Sequence, residues 1–174
     1  MNFFPRKESK PAPFRDAIPL TVLTVASLLW TAGTMAAPFL AASGHPLAAL
    51  AAKWIYAPFC HQQLSRSLSL FGFPVSVCHR CLAIYVSFTL VLLLSGMLVR
   101  GRGFSRLALL CFLLPMLSDF LFDVAGLWTN TPVTRMASGV VAGIGLAYFL
   151  VPAMRELGRE MRDRRLCSTV TQGN

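Results

Sequence analysis

Apolar runs long enough to cross a lipid bilayer constrain this chain more than anything else in it. A membrane-spanning helix needs about 20 mostly apolar residues. Ile18 to Ala42, Leu82 to Val99, Leu107 to Trp128 and Pro132 to Met154 each meet or approach that length. A fifth run, Leu47 to Phe59, is too short to span and carries Lys53, Trp54 and Tyr56, residues that suit the membrane–water interface. The sequence therefore predicts an all-α integral membrane protein, with four transmembrane helices plus one short interfacial or re-entrant helix.

Charge supports that reading. Only 13% of the residues are charged and the mean hydropathy is +0.61, whereas a soluble domain carries about 25% charged residues. The formal net charge of +9 would suggest nucleic acid in a soluble protein. Here the basic residues lack interleaved aromatics and gather at the ends of the apolar runs, so nucleic acid is excluded as a partner and the lipid bilayer is the expected one.

The same residues orient the chain. Arg6, Lys7, Lys10 and Arg15 lie in the first tail, Arg100, Arg102 and Arg106 in one loop, and Arg155, Arg159, Arg162, Arg164 and Arg165 in the last tail. These twelve fall on one side of a four-span arrangement, and only Lys53, Arg66, Arg80 and Arg135 fall on the other. Cytoplasmic flanks collect Lys and Arg, so both termini are expected in the cytoplasm of a prokaryotic inner or plasma membrane. The organisation is then a disordered basic tail (1–17), a membrane domain (18–154) with an outer cysteine-rich loop (43–81), and a basic tail (155–174), read as a helix that frays. Small residues at 36–37 and 41–43 would also suit signal-peptide cleavage. The first run exceeds the ~7–15 apolar residues of a signal peptide, which favours an uncleaved helix.

One polar island interrupts the apolar pattern. Cys60-His61-Gln62 and Arg66-Ser67 lead to Cys78-His79-Arg80-Cys81, so three of the five cysteines lie within these residues. Ser76 is placed to cap the next helix, which puts Cys78 and Cys81 in its first turns. A helix N-terminus and Arg80 both favour the thiolate, the form that attacks disulfides and binds metals. Cys60, Cys78, Cys81 and His61 make up a set of three thiols and one imidazole, a ligand count suited to zinc or another transition metal. Adjacent Cys60 and His61 do not easily reach one ion, and His79 is the other candidate fourth ligand. The same thiols suit disulfide exchange through Cys78 and Cys81, with Cys60 resolving. A plain disulfide stapling the outer loop is a third reading, and unpaired packing cysteines a fourth. Cys111 reads as a small core residue within a span; Cys167 and His45 carry no assigned role.

Asp119 and Asp123 are the only acids outside the two tails, and their spacing of four puts them on one helix face. An ionisable group inside a span is costly and faces protein or water. Arg135, one turn into the last span, is the natural partner of Asp119. The two read either as a structural ion pair or, with the cysteines, as a polar floor beneath the island that binds substrate or relays protons. Ser138, Gly139, Ala142 and Gly143 form a small-residue stripe, which packs inside the chain or joins two copies as a homo-oligomer.

Taken together these residues resemble a family of small predicted prokaryotic membrane proteins, domain of unknown function 2085. Its pattern holds Cys-His-Gln, then Arg-Ser, then Cys-x-Arg-Cys-x-Gly-x-Tyr, with Asp-Gly-x-x-Gln and Arg-x-x-Thr-Gly in the last two spans. Cys60-His61-Gln62, Arg66-Ser67, Cys78-x-Arg80-Cys81, Tyr85, Asp119 and Arg135 with Gly139 match it. Ala83, Phe120, Asp123 and Ser138 depart from it. The resemblance covers roughly residues 55–150. It implies a fold and a residue set, Cys60, His61, Arg66, Cys78, Arg80, Cys81, Asp119 and Arg135, without an activity. Within that set Cys78, Cys81, Asp119 and Arg135 are the candidate catalytic groups, and Arg66 and Arg80 the candidate binding groups.

Overall fold

The computed structural model describes residues 18–95, 106–127 and 129–172. The expected disordered tail at 1–17 and most of the basic loop at 100–106 lie outside them. The described chain is helical apart from one small hairpin. In order it runs α1 (Ile18–Gly33), α2 (Ala36–Ala42), α3 (Pro46–Tyr56), a single 3-10 turn (Leu64–Arg66), β1 (Ser67–Leu70), β2 (Phe73–Cys78), α4 (His79–Leu93), α5 (Arg106–Val124) and α6 (Pro132–Gln172). Helix α6 lies against α1, α4 and α5, and its interface with α4 is the most extensive. Helices α2 and α3 and the hairpin gather at one end of this bundle.

The first apolar run is not one continuous helix. It breaks at Thr34 and Met35, where backbone N–H groups bond three residues back, Thr34 to the Thr31 carbonyl (3.2 Å) and Met35 to that of Ala32 (3.0 Å). Pro38 has no N–H to give the carbonyl four residues earlier. That carbonyl, on fully buried Thr34, instead accepts the Ser76 N–H of β2 at 3.1 Å. The break thus anchors the hairpin to the bundle. The Tyr56 hydroxyl donates to the Trp30 carbonyl at 2.8 Å, tying α3 to the end of α1. Gly33 leaves room for that hydroxyl, which a Cβ would overlap.

The hairpin is absent from the sequence expectation. Its strands pair antiparallel with Leu70 opposite Phe73, across a two-residue turn in which Phe71 (φ 55°) and Gly72 (φ 81°) both take positive φ. Two such residues match the right-handed twist of a tight hairpin. Ser76 is consequently buried in β2, and Cys78 is the N-cap of α4, without a side-chain capping bond. The expected Ser76 cap is corrected on this point. Thr131 caps α6: Thr131 Oγ1 accepts the Thr134 N–H at 3.2 Å and Thr134 Oγ1 accepts the Thr131 N–H at 3.1 Å.

Among the described residues three segments are long and apolar enough to cross a membrane, Ile18–Ala42, Leu107–Val124 and Pro132–Met161. The expected span from Leu82 to Val99 is represented by α4, an apolar helix of 15 residues, and ends among residues outside those described. The short apolar helix is present as α3, with Leu47, Leu50, Trp54 and Ile55 exposed. Many other large apolar side chains point outward, including Leu107, Leu110, Leu114 and Leu121 of α5, as a lipid-facing surface requires. Cys111 also points outward and is no core residue. Beyond the last span α6 stays helical to Gln172.

Small residues set the helix contacts. A Cβ on Gly139 would lie 2.6 Å from the Arg80 carbonyl oxygen, and one on Gly143 would lie 2.5 Å from that of Ile84. The stripe of α6 is therefore packed at Gly139 and Gly143 against α4 of the same chain. Between α1 and α4, Thr89 Oγ1 shares hydrogen bonds with Ser27 Oγ (2.6 Å) and Thr31 Oγ1 (2.9 Å), the polar cross-links that hold helices together in lipid.

Candidate metal centre

Three elements bring the thiols together. Pro58 stops α3, and the chain turns so that the Cys60 N–H returns to the Tyr56 carbonyl at 3.0 Å. Gln62, at φ 50°, sends its side-chain amide to the Lys53 carbonyl at 2.6 Å, which closes the turn. Strand β2 delivers Cys78 to the N-cap of α4, and Cys81 follows in the first turn. At ~100° per residue, positions three apart lie within about 60° of each other around a helix, so Cys78 and Cys81 share a face. The three Sγ atoms all lie within 4.8 Å of one another.

Around them Trp30, Tyr56, Val77, Leu82 and Tyr85 form an apolar wall. Trp30 packs edge-on against Tyr56 (4.8 Å between centroids), Phe59 (5.3 Å) and Tyr85 (6.3 Å). Trp30 and Tyr85 also line an apolar cleft of about 400 Å³ between α1, α4 and α6. The Cys78 N–H donates to Cys60 Sγ at 3.2 Å. Hydrogen bonds from the Cys60 and Cys81 thiols, and from the Cys81 and Arg80 N–H groups, hold the Cys78 thiol well below its ordinary range against the effect of burial. A soft cation binds the thiolate form that the surroundings of Cys78 favour.

The fourth ligand expected from the sequence is not in the cluster. His61 is exposed and stands outside the group of three sulfurs, so the expected set of three thiols and one imidazole is reduced to the three thiols among the described residues. His79 bonds through Nδ1 to the Arg66 carbonyl at 2.6 Å and serves to hold the 3-10 turn against α4.

The ionic residues gather elsewhere. Arg80, between the two cysteines in sequence, points away from them toward α5 and α6. Its guanidinium pairs with Asp119 and sits over the Phe120 ring, 5.9 Å from the centroid. Ser138 Oγ donates to the same carboxylate at 3.3 Å, and the Asn130 amide donates to the Asp119 carbonyl at 2.8 Å. Asp123 accepts from Arg66 at 2.9 Å and faces Arg135 at 3.7 Å. The expected Asp119–Arg135 pair is corrected: Asp119 belongs to Arg80, and Arg135 to Asp123. At ~100° per residue Arg80 projects about 130° away from the mean direction of Cys78 and Cys81 around α4, so the ionic cluster stands to one side of the thiols rather than in line with them. Nothing in the sequence singles out Asn130 or Trp30; one sits in a turn, the other in an apolar run, and neither spacing marks them.

A helical bundle with lipid-length apolar segments and a thiol cluster at one end defines a polytopic membrane protein. Residues 60–149, just over half of the chain, match the family described as "Predicted membrane protein (DUF2085)", and the chain belongs to that family. The matched segment holds every candidate residue from Cys60 to Arg135. An uncharacterised protein of Methanocaldococcus jannaschii is 26% identical over 106 residues, 59% of this chain and 68% of that protein. An uncharacterised protein of Methanothermobacter thermautotrophicus is 33% identical over 89 residues, 51% of this chain and 80% of that protein. No solved structure matches the chain. The four departures from the motif pattern all fall on contacts between α4, α5 and α6: Ala83 against Gly139, Phe120 under Arg80, Asp123 with Arg66 and Arg135, and Ser138 on Asp119.

Proposed function

We propose that this protein is a four-span membrane protein that binds one thiophilic metal ion, zinc-like, through Cys60, Cys78 and Cys81. The observation that carries this reading is the convergence of three Sγ atoms within 4.8 Å from two separate parts of the chain. Sulfurs bound to zinc at ~2.3 Å in a tetrahedral site lie about 3.8 Å apart, so a small contraction of the cluster suffices. Three protein ligands leave one coordination position for an exchangeable group, the pattern of catalytic rather than purely structural zinc sites. In this proposal α4 supplies the second of the four spans, both termini are cytoplasmic and the thiols face outward, which the charge bias supports.

Anaerobic titration of the full chain with Co²⁺ tests the site. A thiolate-to-cobalt charge-transfer band is expected in the wild type and in His61→Ala, and is lost in Cys60→Ser. Absence of the band in fully reduced wild type would refute the proposal. The lowered Cys78 thiol favours a second reading, thiol–disulfide exchange through Cys78 and Cys81. A Cys81→Ser variant that accumulates mixed disulfides in cells would support that reading instead. A reporter active only in the cytoplasm, fused after Asn174 and inserted within 62–75, tests the orientation; activity at the loop would reverse it.

A further inference from the structure

The ionic cluster behind α4 holds unused hydrogen-bonding capacity. Among the described residues three arginines, Arg66, Arg80 and Arg135, meet two carboxylates, Asp119 and Asp123. Arg66 is 40% exposed and meets water, whereas the Arg80 and Arg135 side chains are only 15% and 11% exposed. Arg80 Nε and Arg135 Nε are both buried without a hydrogen-bond partner. Arg135 is the sharper case, because its nearest carboxylate oxygen, at 3.7 Å, is beyond hydrogen-bond reach and Asp123 is already engaged by Arg66 at 2.9 Å. A guanidinium offers five donors in a rigid fork. Burying it without acceptors costs far more than leaving it in water. Nearby Asn130 has its amide committed to Asp119, while its Oδ1 is buried and lacks a donor.

We propose that Arg80 and Arg135 form a binding site for a phosphate-type oxyanion where α4, α5 and α6 meet. Two unpartnered Nε donors carried on different helices call for an acceptor whose oxygens point in several directions, which a tetrahedral oxyanion supplies and a planar carboxylate does not. The donor-poor Asn130 Oδ1 suits a protonated oxygen of the same group. The oxyanion belongs either to a free phosphate or to the headgroup of a phospholipid; the chemistry recognised is the same. No thiol takes part, so this proposal stands apart from the metal reading.

The test uses the full chain in a maltoside detergent, which carries no phosphate. Thermal unfolding is followed while inorganic phosphate replaces chloride at constant ionic strength, and separately while a short-chain phosphatidic acid is added. The wild type is expected to gain a saturable rise in unfolding temperature with one of the two. Response to inorganic phosphate identifies a free ligand, and response to phosphatidic acid alone identifies a headgroup. Arg135→Gln is expected to abolish the response. Should that variant fail to fold, Arg135→Lys keeps the charge but loses the fork, and is expected to weaken half-saturation by roughly tenfold or more. No saturable response to either oxyanion, or an equal response in Arg135→Lys, would overturn the proposal.

Discussion

Replacing Asp119 by Asn tests how the buried charges are partnered. The substitution keeps the side-chain volume, and the Asn130 bond to the backbone carbonyl of residue 119 is unaffected. What it removes is the anion facing the Arg80 guanidinium, in a pair whose side chains are 13% and 15% exposed. Breaking a fully buried ion pair costs about 3–5 kcal/mol, and a hydrogen bond to a charged group is worth about 1.5–3 kcal/mol. Because some exposure remains and Phe120 still underlies Arg80, we expect a loss of about 2–4 kcal/mol. Reversible unfolding in mixed maltoside–dodecyl sulfate micelles, followed by tryptophan fluorescence, measures it. Arg80→Met on its own also destabilises, by stranding Asp119. The double variant should recover at least about 1 kcal/mol relative to the sum. The parallel cycle of Asp119→Asn with Arg135→Met should show coupling below about 0.5 kcal/mol. Additive losses with Arg80, or stronger coupling to Arg135 than to Arg80, would refute this assignment of partners.

Gly139→Ala should destabilise by about 1–3 kcal/mol through overpacking, because its Cβ meets the Arg80 carbonyl oxygen at 2.6 Å and neither helix backbone can yield cheaply; the same unfolding assay reads the loss. The displacement falls on the first turn of α4, so the affinity for Co²⁺ should drop as well. Thr131→Ala should cost about 1 kcal/mol by removing the cap of α6, and Thr131→Ser should restore most of it.

Much of this fold is readable from hydrophobic run lengths, because lipid admits few alternatives to helices. The short apolar helix α3, the Thr131 cap and the position of Cys78 and Cys81 at a helix start all follow from local residue chemistry. What local chemistry does not reveal is pairing at a distance. The hairpin depends on Phe71 adopting positive φ, which a phenylalanine does not announce. The break after Gly33 depends on Pro38 freeing a carbonyl that a distant strand then takes up. Depth along two helices points to an Asp119–Arg135 pair, but depth alone does not say that Arg80 of a third helix is nearer. Adjacency in sequence groups His61 with Cys60, yet the turn that buries Cys60 directs His61 to the exterior.

The central claim is a metal held by three thiolates, and the metal content of the protein purified without oxygen from cells tests it most directly. It is measured with a thiol count on the wild type and on the Cys60→Ser, Cys78→Ser, Cys81→Ser and His61→Ala variants. About one thiophilic metal ion per chain is expected in the wild type. That ion should be lost in each cysteine variant and kept in His61→Ala. Metal-free wild type with two of the three thiols joined in a disulfide, or metal retained in Cys60→Ser, would contradict it.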